Sequence, residues 1–198
     1  MTLTSTARHI MASACCKHFV ANSMEKSRVD GTEWKRHNFD ATVTAQDLAD
    51  SYLPAFQSCV EEGRVSGLMC SYNALNGVPT CADPWLLETV ARDAWQFDGY
   101  VTSDCDADSD VFVSHNYTRT ADEAVGQILH AGTDLDCGGF IEENALQSLA
   151  SKTITIADIE TRITNLFMVR LRLGHFDPEG PLQQISPAEH ICSTEGRA

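Results

Sequence analysis

Apolar residues recur along this chain in two different patterns. Four short runs, residues 14–20, 67–72, 100–104 and, more weakly, 133–137, are rich in apolar and β-branched residues and are bounded by glycine or polar residues. That pattern predicts strands buried in a parallel sheet. Between the runs the apolar positions open out to spacings of three and four, with helix start and stop signals at the ends. Thr44 and Asp47 resemble a capping box for a helix over 45–62 whose apolar face is Leu48, Tyr52, Ala55, Phe56, Cys59 and Val60, and Gly63 stops it. Asp83 before Pro84 starts a second helix through Leu86, Leu87, Val90 and Trp95. Thr120 with Glu123 caps a third, with Ala124, Ile128 and Leu129 inward and Gly132 at its end. Thr155 with Asp158 opens the longest, in which Ile159, Ile163, Leu166, Phe167, Val169 and Leu173 are expected to face the core before Gly174 ends it.

Strands alternating with helices predict an α/β fold. About four βα units suit a partial (β/α)8 barrel of the TIM type, and 198 residues fall short of the roughly 250 that a closed barrel takes. The expectation is a piece of a larger protein, with sheet edges and an apolar face left for other segments to cover. From Asp177-Pro178 onward the pattern dissolves into a proline-rich polar tail that reads as a linker leading out of the domain.

Composition narrows the class. Hydrophobic residues make up 43% and charged residues 21% of the chain, a globular balance, and the net charge of −14 repels phosphate backbones and anionic lipid surfaces. Neither nucleic acid nor a membrane is an expected partner, since no apolar run approaches the length of a bilayer span. The segment 1–11 lacks the apolar core of a secretory signal, so no address is expected within the chain. Eight cysteines nevertheless suit an oxidising compartment. Cys70 and Cys81 flank a turn-rich stretch that can close as a short loop. Cys105 and Cys137 each follow a strand end and would meet at one barrel rim. Both are expected disulfides, with Cys16–Cys59 as a third. Asn116-Tyr117-Thr118 is a glycosylation sequon.

Candidate chemistry gathers at the strand ends, where α/β barrels carry it. Asp104 closes the run Tyr100-Val101-Thr102-Ser103-Asp104, the position of a catalytic carboxylate or of a simple loop cap. Lys17 and His18 end the first run; neighbours in a strand point to opposite faces, so both reach a ligand only at a loop mouth. The second run ends Met69-Cys70-Ser71-Tyr72-Asn73, with Tyr72 as an aromatic wall or hydroxyl donor. Asp134 and Asp136 read as rim carboxylates. No Cys-x-x-Cys pair has His partners at zinc-ligand spacing. The run of aspartates from Asp104 to Asp110 has Ser109 and His115 where a calcium loop needs Gly and Glu. There is no G-x-S-x-G elbow for a serine hydrolase. No metal and no cofactor is expected.

Taken in order, Cys16-Lys17-His18-Phe19, the segment from Met69 to Pro79, Gly99 to Asp106 and Ala131 to Cys137 resemble glycoside hydrolase family 3, closest to its β-xylosidase and α-L-arabinofuranosidase branch. With the four motifs in this order, the resemblance covers Cys16 to Asp177. The resemblance implies that Asp104 is the nucleophile of a retaining exo-glycosidase acting on xylan- or arabinoxylan-type oligosaccharides. It also implies that Lys17 and His18 bind sugar hydroxyls, that Tyr72 lies under the nucleophile and that Met69 stands in the neighbouring wall. Cys105 follows the nucleophile where many glucosidase members have Trp, as in the xylosidase branch. Residues 21–25 depart from the tyrosine- and acid-containing version of a xylosidase. On this likeness residues 1–176 are the C-terminal part of the family's N-terminal barrel domain and 177–198 a linker toward a second α/β domain. The full-length enzyme would be extracellular. The family's acid/base glutamate comes from that second domain, so the chain alone is expected to be inactive and to associate through exposed surfaces. The rival expectations are a non-catalytic carbohydrate-binding or interaction remnant and a β-glucosidase of the same family.

Overall fold

The computed structural model describes residues 9–178 together with Gly180, Ser186, Glu189, Ser193 and Thr194. Most of the tail expected to be a linker lies outside the described residues. In chain order the elements are β1 (Cys15–Phe19), β2 (Lys26–Val29), β3 (Thr32–Lys35), β4 (Asp40–Ala41), α1 (Ala45–Asp47), α2 (Pro54–Glu61), β5 (Gly67–Cys70), β6 (Ala74–Leu75) and β7 (Val78–Pro79). A π-type helical segment (Trp85–Ala94) follows, then β8 (Tyr100–Ser103), α3 (Ala107–Val113), α4 (Ala121–Ala131), α5 (Phe140–Ser151) and α6 (Ile156–Arg172).

Three of the apolar runs pair as a parallel sheet in the order β1-β5-β8. Leu68 and Cys70 stand opposite Val101 and Ser103, and all four are fully buried. They pack with Phe19, Leu86, Leu87, Ala91 and Trp95 into the main core. On the other pleat face, Met69 stands opposite Thr102 and is only half-buried. This alternation follows from the two-residue period of a strand. Gly99 allows β8 to enter the sheet, because a Cβ there would lie 2.3 Å from the Ser66 carbonyl oxygen. The fourth expected strand is reduced to a single bridge, Leu135 beside Thr102.

Two expected helices differ in detail. The helix over 45–62 is broken into α1, a wider turn Leu48–Tyr52 and α2, because Pro54 supplies no N–H to an unbroken ladder. Ala55, expected on its inner face, is exposed. α6 has the full Thr155–Asp158 capping box, but its apolar stripe turns outward, leaving Ile163, Phe167, Met168 and Leu171 exposed and Val169 its only fully buried residue. Ile159 still packs against Val125, Leu129 and Ile154, and polar residues add further docking contacts. Arg162 and Asn165 reach Asp134, and Arg172 reaches Asp98.

Three disulfides tie the layers together as expected. Cys16–Cys59, Cys70–Cys81 and Cys105–Cys137 have Cα separations of 6.6, 5.2 and 4.4 Å, all inside the range a disulfide spans. Cys15 is a free thiol, and Cys192 lies outside the described residues.

Candidate active site

Asp104 stands one residue past β8, and its N–H donates to the Cys70 carbonyl at 3.1 Å, so parallel pairing still holds its backbone where the strand ends. One carboxylate oxygen, Oδ1, accepts from the Cys105 N–H at 2.8 Å. The other, Oδ2, lies 3.2 Å from His18 Nε2. With 14% of its side chain exposed, the carboxylate is enclosed yet reachable. Tyr72 completes the group. Burial first, and then the Asp104 charge, push its phenol up to about 12, so it stays a protonated donor beside that carboxylate.

The structure thus brings His18, Tyr72 and Asp104 together. It links Lys17 and Met69 to them less directly. Lys17 is exposed, in neither a hydrogen bond nor an ion pair with Asp104, and β1 changes register between Cys16 and Phe19 around it. Met69 is on the half-buried pleat face two residues before Ser71, with no polar link to the carboxylate.

A second shell of polar residues was not read from the sequence. Arg36 and His37, just after β3, lie against Tyr72: the guanidinium carbon is 4.9 Å and the imidazole centroid 4.2 Å from the phenol ring. Arg36 Nε donates to His37 Nε2 at 3.3 Å, which leaves Nδ1 as the donor to Asp110 Oδ2 at 2.7 Å. Asp110 also accepts from the Ser114 hydroxyl. His115 Nε2 bonds the Tyr72 carbonyl at 2.7 Å. Asp110, Ser114 and His115 come from α3 and the loop after it, an element for which the sequence reading had no helix. The four-residue spacing of Ala107 and Val111, both fully buried, is the signal that identifies α3.

Beneath these residues, Asp108 is fully buried, with Ser103 and Asp136 as its polar side-chain neighbours. Burial, with the neighbouring Asp136 charge, pushes its carboxyl well above the ordinary carboxylate range. The two rim carboxylates expected at the fourth strand have inward roles. Asp134 has a fully buried side chain, ion-paired with Arg92 at 2.6 Å and with Arg162 at 3.4 Å. Asp136 Oδ2 accepts from the Ile141 N–H at the start of α5.

The carboxylate is held at the C-terminal edge of parallel strands, where α/β barrels carry their chemistry, with an imidazole on one oxygen and a protonated phenol beside it. The chain matches the Glycosyl hydrolase family 3 N terminal domain over residues 3–167, and it belongs to that family. It is 44% identical over 198 residues to a probable beta-D-xylosidase 7 of Arabidopsis thaliana, covering 97% of this chain and 25% of that protein. It is 46% identical over 168 residues to a probable exo-1,4-beta-xylosidase of Aspergillus clavatus, covering 83% and 21%. Among solved structures, a family 3 exo-beta-xylosidase in complex with a xylobiose aziridine activity-based probe superposes with a TM-score of 0.78 at 32% identity, over 87% of this chain and 22% of that one. Beta-glucosidase 3B of Thermotoga neapolitana superposes with a TM-score of 0.66 at 26% identity, over 83% and 21%. The chain spans about a quarter of the length of the curated relatives it matches.

Proposed function

We propose that this chain carries the nucleophile half of a retaining exo-glycosidase that removes pentose units from xylan- or arabinoxylan-type oligosaccharides, as a β-xylosidase or α-L-arabinofuranosidase. Its parallel strands are part of a (β/α)8 barrel, residues 1–176 the C-terminal part of that domain and 177–198 a linker toward a second α/β domain. Asp104 attacks the anomeric carbon and forms a glycosyl ester, which water then cleaves. His18 and Lys17 hold sugar hydroxyls, Tyr72 lies under the reacting carboxylate, and Met69 contributes to the wall. The acid/base carboxyl is supplied from outside these 198 residues. The full-length enzyme works outside the cell.

The observation that carries this reading is the meeting of His18, Tyr72 and Asp104 at one sheet edge, from three separate strand ends. Xylosidase relatives at 44% and 46% identity favour the pentose preference. The test is a comparison of the full-length protein on aryl β-D-xyloside, aryl α-L-arabinofuranoside and aryl β-D-glucoside, with the first-formed anomer read by NMR. Pentoside turnover with retention is expected. Dominant glucoside turnover contradicts the substrate, an inverted product contradicts the nucleophile, and no turnover of any glycoside supports a binding remnant.

A further inference from the structure

The loop between α3 and α4 holds Asn116-Tyr117-Thr118, the one Asn-x-Ser/Thr in the 198 residues, with no proline at the middle or following position. We propose that Asn116 is a site of N-linked glycosylation, its glycan rooted in the loop after α3 and lying along the groove beside it.

The acceptor is placed for this. Asn116 is exposed, at φ +49°, a left-handed backbone that asparagine tolerates better than most residues. Its neighbours anchor the loop. The His115 N–H donates to the Asp110 carbonyl at 2.8 Å and the Tyr117 N–H to the Val111 carbonyl at 3.0 Å, while the Asn116 side chain makes no hydrogen bond or ion pair. Beside it lies an open groove of about 540 Å³ lined by Tyr117, Thr118, Arg119, Glu123 and Gln127. Tyr117 is 40% exposed there, so the groove offers an aromatic face flanked by hydrogen-bonding groups, a surface suited to sugar rings. The three disulfides place the chain in an oxidising compartment, where such transfer takes place. In the transfer, the Asn116 carboxamide nitrogen bonds the anomeric carbon of a lipid-pyrophosphate-linked oligosaccharide. The bond from that carbon to the pyrophosphate oxygen breaks, the lipid pyrophosphate leaves as the anion, and the amide gives up one proton. The site adjoins the catalytic group, since His115, one residue earlier, bonds the Tyr72 carbonyl.

The proposal rests on the extracellular part of the proposed function but not on any substrate. It is tested with the full-length protein made behind a secretory leader in a eukaryotic cell, all chains being recovered, exported or retained. Peptides spanning Asn116 are mapped before and after an amidase that converts glycosylated Asn to Asp. The expected result is a glycan-bearing peptide that yields Asp only after the enzyme, lost in Thr118→Ala and kept in Thr118→Ser. Asn116→Asp, which suits the same backbone, removes the modification without disturbing the disulfides. Bare Asn116 in chains whose three disulfides have formed overturns the proposal while leaving the glycosidase reading intact. Free thiols at the six cysteines of the three bridges in the recovered protein overturn the compartment argument and the proposal with it.

Discussion

The strand ends that carry His18, Tyr72 and Asp104 are fixed by backbone pairing over a core in which Phe19, Leu68, Cys70 and Val101 are fully buried. The segment that brings Arg36 and His37 to the same place is a two-stranded hairpin with most of its side chains exposed. It is held against Tyr72 by side-chain contacts, the His37–Asp110 bond among them. The proposed nucleophile thus sits with His18 and Tyr72 on the paired strands, and Arg36 and His37 come to it from a more exposed segment. A nucleophile must be held to within a fraction of an ångström, so a sheet edge is the better support for it.

Four substitutions in the full-length protein sharpen this contrast. Asp104→Asn removes the nucleophile and should cost on the order of 10⁴-fold or more in kcat with the fold intact, read by steady-state kinetics beside circular dichroism. Replacing Cys105 and Cys137 together by alanine releases the loop after the nucleophile. A bridge closing a loop with a sequence separation of 32 contributes about 3 to 4 kcal/mol, a loss that denaturant unfolding would reveal. Tyr72→Phe deletes the donor beside Asp104. A hydrogen bond to a charged group is worth about 1.5 to 3 kcal/mol, so kcat should fall about 10- to 100-fold while the alkaline limb of the pH profile up to about pH 10 keeps its shape, the phenol being protonated there.

The smallest effect is at Asp108. Its folded-state pKa is raised, so between the ordinary carboxylate value and that raised value the folded protein holds a proton that the unfolded chain has lost. Stability therefore falls as pH rises through that window. Asp108→Asn keeps the shape and removes the titration. Its melting temperature should gain on the wild type from acid toward neutral pH and converge with it in acid. An unchanged difference across the range would contradict the buried, protonated state.

Much of the framework was legible because buried parallel strands and capped helices leave local signals. The runs at β1, β5 and β8, the Thr120 and Thr155 caps and the Cys70–Cys81 bridge were placed by short-range pattern, and Cys105–Cys137 by the expected meeting of two strand ends. The hairpin was missed although Asp30-Gly31, both at positive φ, is the turn that such a hairpin favours. Its strands are polar and half-exposed, so no hydrophobic period marked them. The outward face of α6 was misread because periodicity shows that a stripe exists and not which partner it meets; Arg162 and Asn165, drawn to the buried Asp134, set its orientation. At the candidate site, His18, Tyr72 and Asp104 could be picked out singly as strand-end residues, whereas the Arg36–His37–Asp110–Ser114 network needed the tertiary contacts that join residues 73 positions apart.

The central claim is that Asp104 forms the covalent bond to the sugar. Incubating the full-length protein with a 2-deoxy-2-fluoro xyloside bearing a good leaving group slows breakdown of the glycosyl ester, so that it accumulates. Peptide mapping by mass spectrometry should then place the single label on Asp104. A label on any other carboxylate, or none while the substrate is still turned over, would contradict the account.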